Sequence, residues 1–574
     1  MYSRILYAIL LTGVVAEAVS GPTVFHTIKD GGLRGFLQYS TGQQGKPIFT
    51  FRNIPYAAPP LGDLRFKPPQ KNKPWSGVRD ATEKAKECPQ DPAMSDTLEE
   101  AGWPIEKNRP MSEDCLRLDV FTPTLNEKAK LPVMVWIHGG GFIMGSNRVY
   151  DGTVLAATGD VVIVPINYRL ATLAWLNTGD EDAPGNLGFL DQIQALKWVK
   201  ENIASFGGDP GEITIFGESA GGVSVVALSL SPLGEGLFSR AIAQSGSAIT
   251  NSFLIPAGSS GSMIRELSKA VGCNETEDNR EIIMCLRSKT WEELTEAKPP
   301  EGMPYWPFLP ICGDAFMPKP PKDMVKESDV KARIKSLDIM TGVTENEGYM
   351  MAGKVLAPHF TVNKTRETMF QDLKAMLQIF GILDPSDEEA SQRVEKTLNE
   401  KYLPQENPTE DELTLVMSRL TGDFMLIAPT LQTAHLFKEI GANVFVYELS
   451  HSPLQMRNHG RPEYIKADHG DDIMYMFGFP KSPLGPEEGI VWDDDDLILE
   501  NQMLKYWTNF GKTGNPNGGD LLEWPQFSTD NHEAISLRTH SVILTQFSDD
   551  SVKFWSETVP NILKKQDSDQ KEEL

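Results

Sequence analysis

Gly217-Glu218-Ser219-Ala220-Gly221 sets a serine between two glycines, with an apolar strand, Ile213 to Phe216, before it and a helix-like run, Gly222-Val223-Ser224-Val225-Val226-Ala227-Leu228, after it. Between strand and helix this spacing is a nucleophile elbow, a turn so tight that only small residues fit beside the serine, whose hydroxyl is held clear of the sheet. Such a hydroxyl attacks a carbonyl carbon once a base removes its proton. The competing reading is a structural glycine turn, and the flanking elements weigh against it.

Acyl transfer also needs donors for the oxyanion of the tetrahedral intermediate. His138-Gly139-Gly140-Gly141 follows the apolar strand Val133 to Ile137, upstream of the elbow. Without side chains the loop can turn its amides to a substrate, so Gly140 and Gly141, with Ala220, are the expected donors, and a flexible loop is the alternative. The base should follow the elbow in the order serine, acid, histidine. Of the nine histidines this leaves His359, His435, His451, His459, His469, His532 and His540. The glycine-flanked, acid-rich stretch Asp468-His469-Gly470-Asp471-Asp472 favours His469 over an ordinary surface histidine. Many carboxylates lie between Ser219 and His469, so the residues alone leave the orienting acid open.

The elements that must position these groups are partly legible. Val133 to Ile137 and Val161 to Val164 are continuous apolar runs, as expected of strands buried on both faces by helices in a mainly parallel sheet. From Leu187 to Ile203 the apolar residues recur at helical spacing, and Gly207-Gly208-Asp209-Pro210 then breaks the chain. A smaller strand, Val444 to Tyr447, precedes His451 and the His469 stretch. The region from about Asn251 to Glu439 mixes prolines with amphipathic segments and reads as helical insertions around the site. The 574 residues exceed the length at which single cores usually stop growing, about 250 to 300 residues. Open sheets of about 8 to 15 strands occur as one unit in large α/β enzymes. With no repeat or linker tract visible, one catalytic domain over 19–574 is expected.

Arg4, the apolar run Ile5 to Val15 and Ala16-Glu17-Ala18 have the layout of a signal peptide over 1–18. It is too short to span a bilayer, and no later stretch is long enough. A formal charge of -25 would repel phosphate backbones and disfavours nucleic acid as a partner. The run Asp493 to Asp496 reads as a solvated loop, because four adjacent carboxylates cannot all point at one ion. Export makes disulfides available to the five cysteines. The economical pairing is Cys88 with Cys115 and Cys273 with Cys285, leaving Cys312, although four cysteines allow three connectivities. Asn274 and Asn363 head glycosylation sequons, whereas Asn407 precedes Pro408. The ending Lys571-Glu572-Glu573-Leu574 is a variant of the Lys-Asp-Glu-Leu signal, which leaves two fates: capture by an endoplasmic-reticulum retrieval receptor, or secretion.

Beyond the elbow and the glycine loop, the chain carries Phe51-Arg52-Asn53-Ile54-Pro55-Tyr56-Ala57, Pro59-Pro60, Leu64-Arg65-Phe66, Ser112-Glu113-Asp114-Cys115-Leu116 and Trp136 to Phe142. Further along stand Gly185-Asn186-Leu187-Gly188, Asp191-Gln192, Phe206-Gly207-Gly208-Asp209-Pro210 and Gly217 to Gly222. With these segments, in this order, the chain resembles the type-B carboxylesterases, which include cholinesterases, juvenile hormone esterases and bile-salt-activated lipase. The resemblance implies an α/β-hydrolase with a large, mostly parallel twisted sheet, helices on both faces and helical insertions around the active site. It selects Glu347, in Gly342-Val343-Thr344-Glu345-Asn346-Glu347-Gly348, as the acid and His469 as the base. It implies the same two disulfides, and hydrolysis of a small-molecule carboxylic ester through an acyl-enzyme, with broad specificity, without metal or organic cofactor.

Some residues depart from particular relatives. Cholinesterases carry a tryptophan shortly before the second cysteine of the first disulfide loop; Trp103 stands about two residues too far from Cys115 and reads as a packing residue. No cysteine follows Cys312, so the third cholinesterase disulfide has no counterpart. Bile-salt-activated lipase uses aspartate where Glu347 stands, and juvenile hormone esterases have glutamine where Glu218 stands. Ile311-Cys312-Gly313-Asp314 replaces a usual Val-Asp-Gly, which leaves that turn open. Ser245, in Gln244-Ser245-Gly246-Ser247, lacks a base motif and reads as structural. A silent adhesion protein on the same fold is the alternative function.

Overall fold

Along the strand Leu131–Ile137, Val133, Val135 and Ile137 enter one hydrophobic cluster while Met134 and Trp136 enter another. Successive side chains of a strand point to opposite faces, so an unbroken apolar run means that both faces are covered. The first cluster is closed by the helices Leu187–Asn202, Ala220–Leu230 and Ala428–Ile440. The second is closed by Thr153–Gly159, Asp471–Phe477 and Asp494–Thr513.

The computed structural model describes residues 21–563 apart from 41–44, 101, 104, 107–108, 250–253, 300–307, 353–364, 380–382, 384–386, 404–406 and 480–490. The leader at 1–18, His359, the sequon at Asn363 and the tetrapeptide 571–574 lie outside the described residues.

In chain order the strands are β1 (Thr23–Ile28), β2 (Gly31–Tyr39), β3 (Pro47–Pro55), β4 (Val78–Asp80), β5 (Arg117–Thr122), β6 (Leu131–Ile137), β7 (Val162–Ile166) and β8 (Gly208–Glu218). They continue as β9 (Arg240–Gln244), β10 (Ile255–Pro256), β11 (Ile311–Cys312), β12 (Asp338–Thr344), β13 (Asn443–Leu449), β14 (Ala534–Leu537) and β15 (Val542–Leu544). A 13-stranded sheet runs β1-β2-β3-β5-β7-β6-β8-β9-β12-β13-β14-β15, with β4 beside β2. Pairing is antiparallel from β1 to β7 and at β14 with β15. It is parallel from β7 across β6, β8, β9, β12 and β13 to β14. The chain order reverses at β7 and β6, and ligands of open α/β sheets bind outside the carboxyl ends of the strands at such a point.

Two boundaries differ from the sequence reading. The elbow strand is longer than Ile213 to Phe216: Gly207 ends a short 3-10 turn, and β8 starts at Gly208, which pairs with Leu131 across a register shift. Asp493 to Asp496 is not a solvated loop but the start of a helix. Asp493 caps it, and Asp496 is fully buried, accepting bonds from Tyr475 Oη at 2.7 Å and from Leu454 N at 3.1 Å. His451 Nε2 lies 2.9 Å from the same carboxylate.

The middle region holds the expected helices. Arg366–Ile379, Glu388–Tyr402 and Glu410–Gly422 share a third cluster with Phe554 and Val559 near the chain's end. Cys88 pairs with Cys115 and Cys273 with Cys285, while Cys312 is free. Disulfides of this kind belong to chains that fold in the oxidising secretory pathway. Asn274 is exposed. No helix among the described residues is long and apolar enough to cross a membrane.

Candidate active site

Ser219 stands alone between β8 and the helix Ala220–Leu230, so the chain must reverse at one residue. Its backbone takes φ 57° and ψ -123°, a conformation that costs a side-chain-bearing residue about 1–3 kcal/mol. The turn is held from both sides: Ser219 N donates to Gln244 O at 2.9 Å, and Val223 N donates to Ser219 O at 2.9 Å. Gly221 is required by contact, because a Cβ there would run into the carbonyl oxygen of Ile137 at the end of β6.

The glycine loop after β6 lies against this turn. A Cβ on Gly139 would come within 3.1 Å of Ser219 Cβ. The N–H groups of Gly140, Gly141 and Ala220 donate to no other described residue. The free amides thus belong to the loop that lies against the serine turn and to the residue that follows the serine, the kind of donor that stabilising an oxyanion requires.

The acid and the imidazole meet from two further strand ends. Glu347 follows β12 and is fully buried; its Oε2 lies 2.7 Å from His469 Nδ1. Its Oε1 accepts Ser245 Oγ at 2.5 Å and Thr344 N at 2.7 Å. Ser245, read from the sequence as structural, thus belongs to the site by fixing the acid. It sits one residue past β9, with φ 48°, opposite the acid loop. The two loops are also fastened to each other through Asn346, whose N donates to Ala467 O at 2.8 Å and whose Oδ1 accepts Lys466 N at 2.7 Å. Arg461 then ties Asp471 and Asp468 together beneath His469. Ser219 Oγ makes no hydrogen bond to a described residue, as is common before a substrate tightens the site.

Glu218 enters the site in a way that no sequence motif signals. Its Oε1 lies 3.2 Å from His469 Nε2, the ring nitrogen that Glu347 does not engage. Burial, with Asp472, Glu347 and Asp471 nearby, pushes the Glu218 carboxyl up to about 8, although His469 opposes this. Burial would lower His469, but Glu218 and Glu347 outweigh it and push the imidazole up. The two shifts are one shared proton: Glu218 supports a charged His469 only while Glu218 is itself ionised. Trp103, read as a packing residue, packs on the second cluster and also covers Gly470, beside His469.

A strained serine turn, free loop amides and a buried acid–imidazole pair at the carboxyl ends of parallel strands define a serine hydrolase of the α/β-hydrolase fold. Residues 22–555 match the model of the carboxylesterase family, and the chain belongs to that family. It is 35% identical over 563 residues to the human cocaine esterase, covering 97% of this chain and 95% of the relative. It is 36% identical over 574 residues to the medium-chain fatty acyl-CoA hydrolase precursor of Anas platyrhynchos, covering 98% and 97%. It is 35% identical over 566 residues to the rat pyrethroid hydrolase Ces2e, covering 97% and 94%. The protein is a serine hydrolase of carboxylic esters.

Removing the Glu218 charge tests the shared proton. An ionised Glu218 favours the imidazolium, so Glu218→Gln lowers the pH at which His469 becomes neutral. The acid limb of kcat/KM against pH should move to lower pH in the variant. The plateau should fall by about tenfold, since the imidazolium of the transition state loses a charged neighbour. An acid limb unchanged in position would contradict the coupling.

Proposed function

We propose that Ser219, Glu347 and His469 form the catalytic triad of a two-step ester hydrolysis. The observation that carries this reading is the 2.7 Å contact of Glu347 with His469 Nδ1, which leaves Nε2 turned toward the elbow. His469 Nε2 takes the proton of Ser219 Oγ as the oxygen attacks the ester carbonyl, and the amides of Gly140, Gly141 and Ala220 receive the oxyanion. The carbonyl–alkoxy bond then breaks, and the alcohol leaves with the proton from His469. Water, deprotonated by the same nitrogen, attacks the acyl-enzyme and releases the acid and Ser219. No step calls for a metal or organic cofactor. Relatives named for cocaine, pyrethroids and fatty acyl-CoA support a site permissive toward the leaving group. The catalytic unit runs through the chain after a leader at 1–18, with glycans at Asn274 and Asn363.

Hydrolysis of a short-acyl and a long-acyl aryl ester by the mature chain, beside Ser219→Ala, tests this. The variant should lose about a millionfold in turnover. Equal rates in the two proteins would remove Ser219 as the nucleophile, and a folded wild type without activity would move the adhesion reading to the front.

The tail Lys571-Glu572-Glu573-Leu574 serves as a retrieval signal that holds the enzyme in the endoplasmic reticulum, a reading supported by its likeness to Lys-Asp-Glu-Leu. Deleting the four residues should send the protein into the medium of expressing cells. Secretion of the full chain at the same level would count against it.

A further inference from the structure

A cluster of metal-binding side chains lies away from the catalytic edge. His435 on the helix Ala428–Ile440, His532 before β14, and Asp549 at the start of the helix Asp549–Lys553 each offer one donor atom. All three atoms lie within 4.8 Å of one another. Phe527, which touches both imidazoles, donates its N–H to Val444 O near the start of β13, and His532 stands just ahead of β14. The cluster therefore sits at the amino-terminal ends of strands whose neighbours carry the ester site at their carboxyl ends.

The donors are fixed in place. The Phe527 ring stacks on His532 with centroids 5.5 Å apart and planes 14° apart, and meets His435 edge-on at 4.9 Å and 90°. The two imidazoles lie 4.3 Å apart at 76°. Asp549 Oδ1 lies 2.7 Å from His532 Nδ1. An ion pair of His532 with Asp549 explains two of these groups and leaves His435 unexplained, since no described residue hydrogen-bonds its ring.

We propose that His435, His532 and Asp549 form a three-ligand site for a divalent transition ion, Zn2+ by the chemistry of its donors, with water as the fourth ligand. Two imidazoles and one carboxylate suit zinc, whereas magnesium and calcium take oxygen donors. Tetrahedral ligands with bonds of about 2.1 Å stand roughly 3.4 Å apart, between the 2.7 Å of the His532–Asp549 contact and the 4.8 Å that bounds the cluster. The His532 and Asp549 side chains are 20% and 36% exposed, which leaves room for the water. The ion joins three segments and clamps the helix Asp549–Lys553 to the sheet. None of its ligands takes part in ester hydrolysis.

The test uses the full mature chain, stripped with a chelator and titrated with Zn2+ by calorimetry, beside His435→Gln and Asp549→Asn. The site predicts one Zn2+ per wild-type chain, affinity lower by at least about tenfold in each variant, and a zinc-dependent rise in Tm confined to the wild type. Ester hydrolysis, unchanged in all three without zinc, reports that the variants are folded. A wild type that binds no Zn2+, or variants with wild-type affinity, would overturn the proposal. Should a variant fail to fold, the visible spectrum of the Co2+-loaded wild type decides: tetrahedral nitrogen-containing bands support the site, and their absence refutes it.

Discussion

A carboxylate shut away from water must find charge or hydrogen-bond partners, and the architecture of the active site follows from meeting that demand at Glu347. Its two oxygens face three donors from three segments: Ser245 after β9, Thr344 at the end of β12, and His469 after β13. The bond to His469 closes 122 residues of chain. It survives only if the two loops are registered to within a few tenths of an ångström, and the bonds of Asn346 to Lys466 and Ala467 provide that registration.

The packing around this pair is arranged to the same end. Beneath His469, the helix Asp471–Phe477 sends Phe477 against Trp136 and Phe216, which come from β6 and β8. The strand that ends in the glycine loop, the strand that ends in Ser219 and the helix that follows the histidine are thus locked by one aromatic group. Asp472, on the same helix, accepts Tyr447 Oη at 2.7 Å and Gln244 Nε2 at 2.8 Å, and Gln244 in turn accepts Trp507 Nε1 at 3.0 Å. Burying Glu218, Glu347, Asp471 and Asp472 together opposes folding, and the hydrophobic clusters on the two faces of the sheet offset that cost.

What could be read from the sequence was whatever local pattern dictates. The elbow, the glycine loop and the central strands announce themselves because tight turns need glycine and two-sided burial needs apolar runs. His469 was favoured but not fixed by its neighbours, and Glu347 was unreadable without the family resemblance, since an acid is chosen by where a distant loop folds. Ser245 carries no local signal, because its partner lies 102 residues away. The run Asp493 to Asp496 looked solvated because nothing near it in sequence reveals Tyr475, His451 and Leu454 as donors to Asp496. Likewise, His435, His532 and Asp549 have no motif spacing and meet only through the fold.

The claim that Glu347 orients His469 for Ser219 is tested most directly by labelling the mature chain with a fluorophosphonate and mapping the adduct. The account predicts one adduct per chain, on Ser219, formed about ten-thousandfold more slowly in a folded Glu347→Gln variant, where the imidazole loses its orienting charge. An adduct on Ser245, or equal labelling rates in the two proteins, would contradict it.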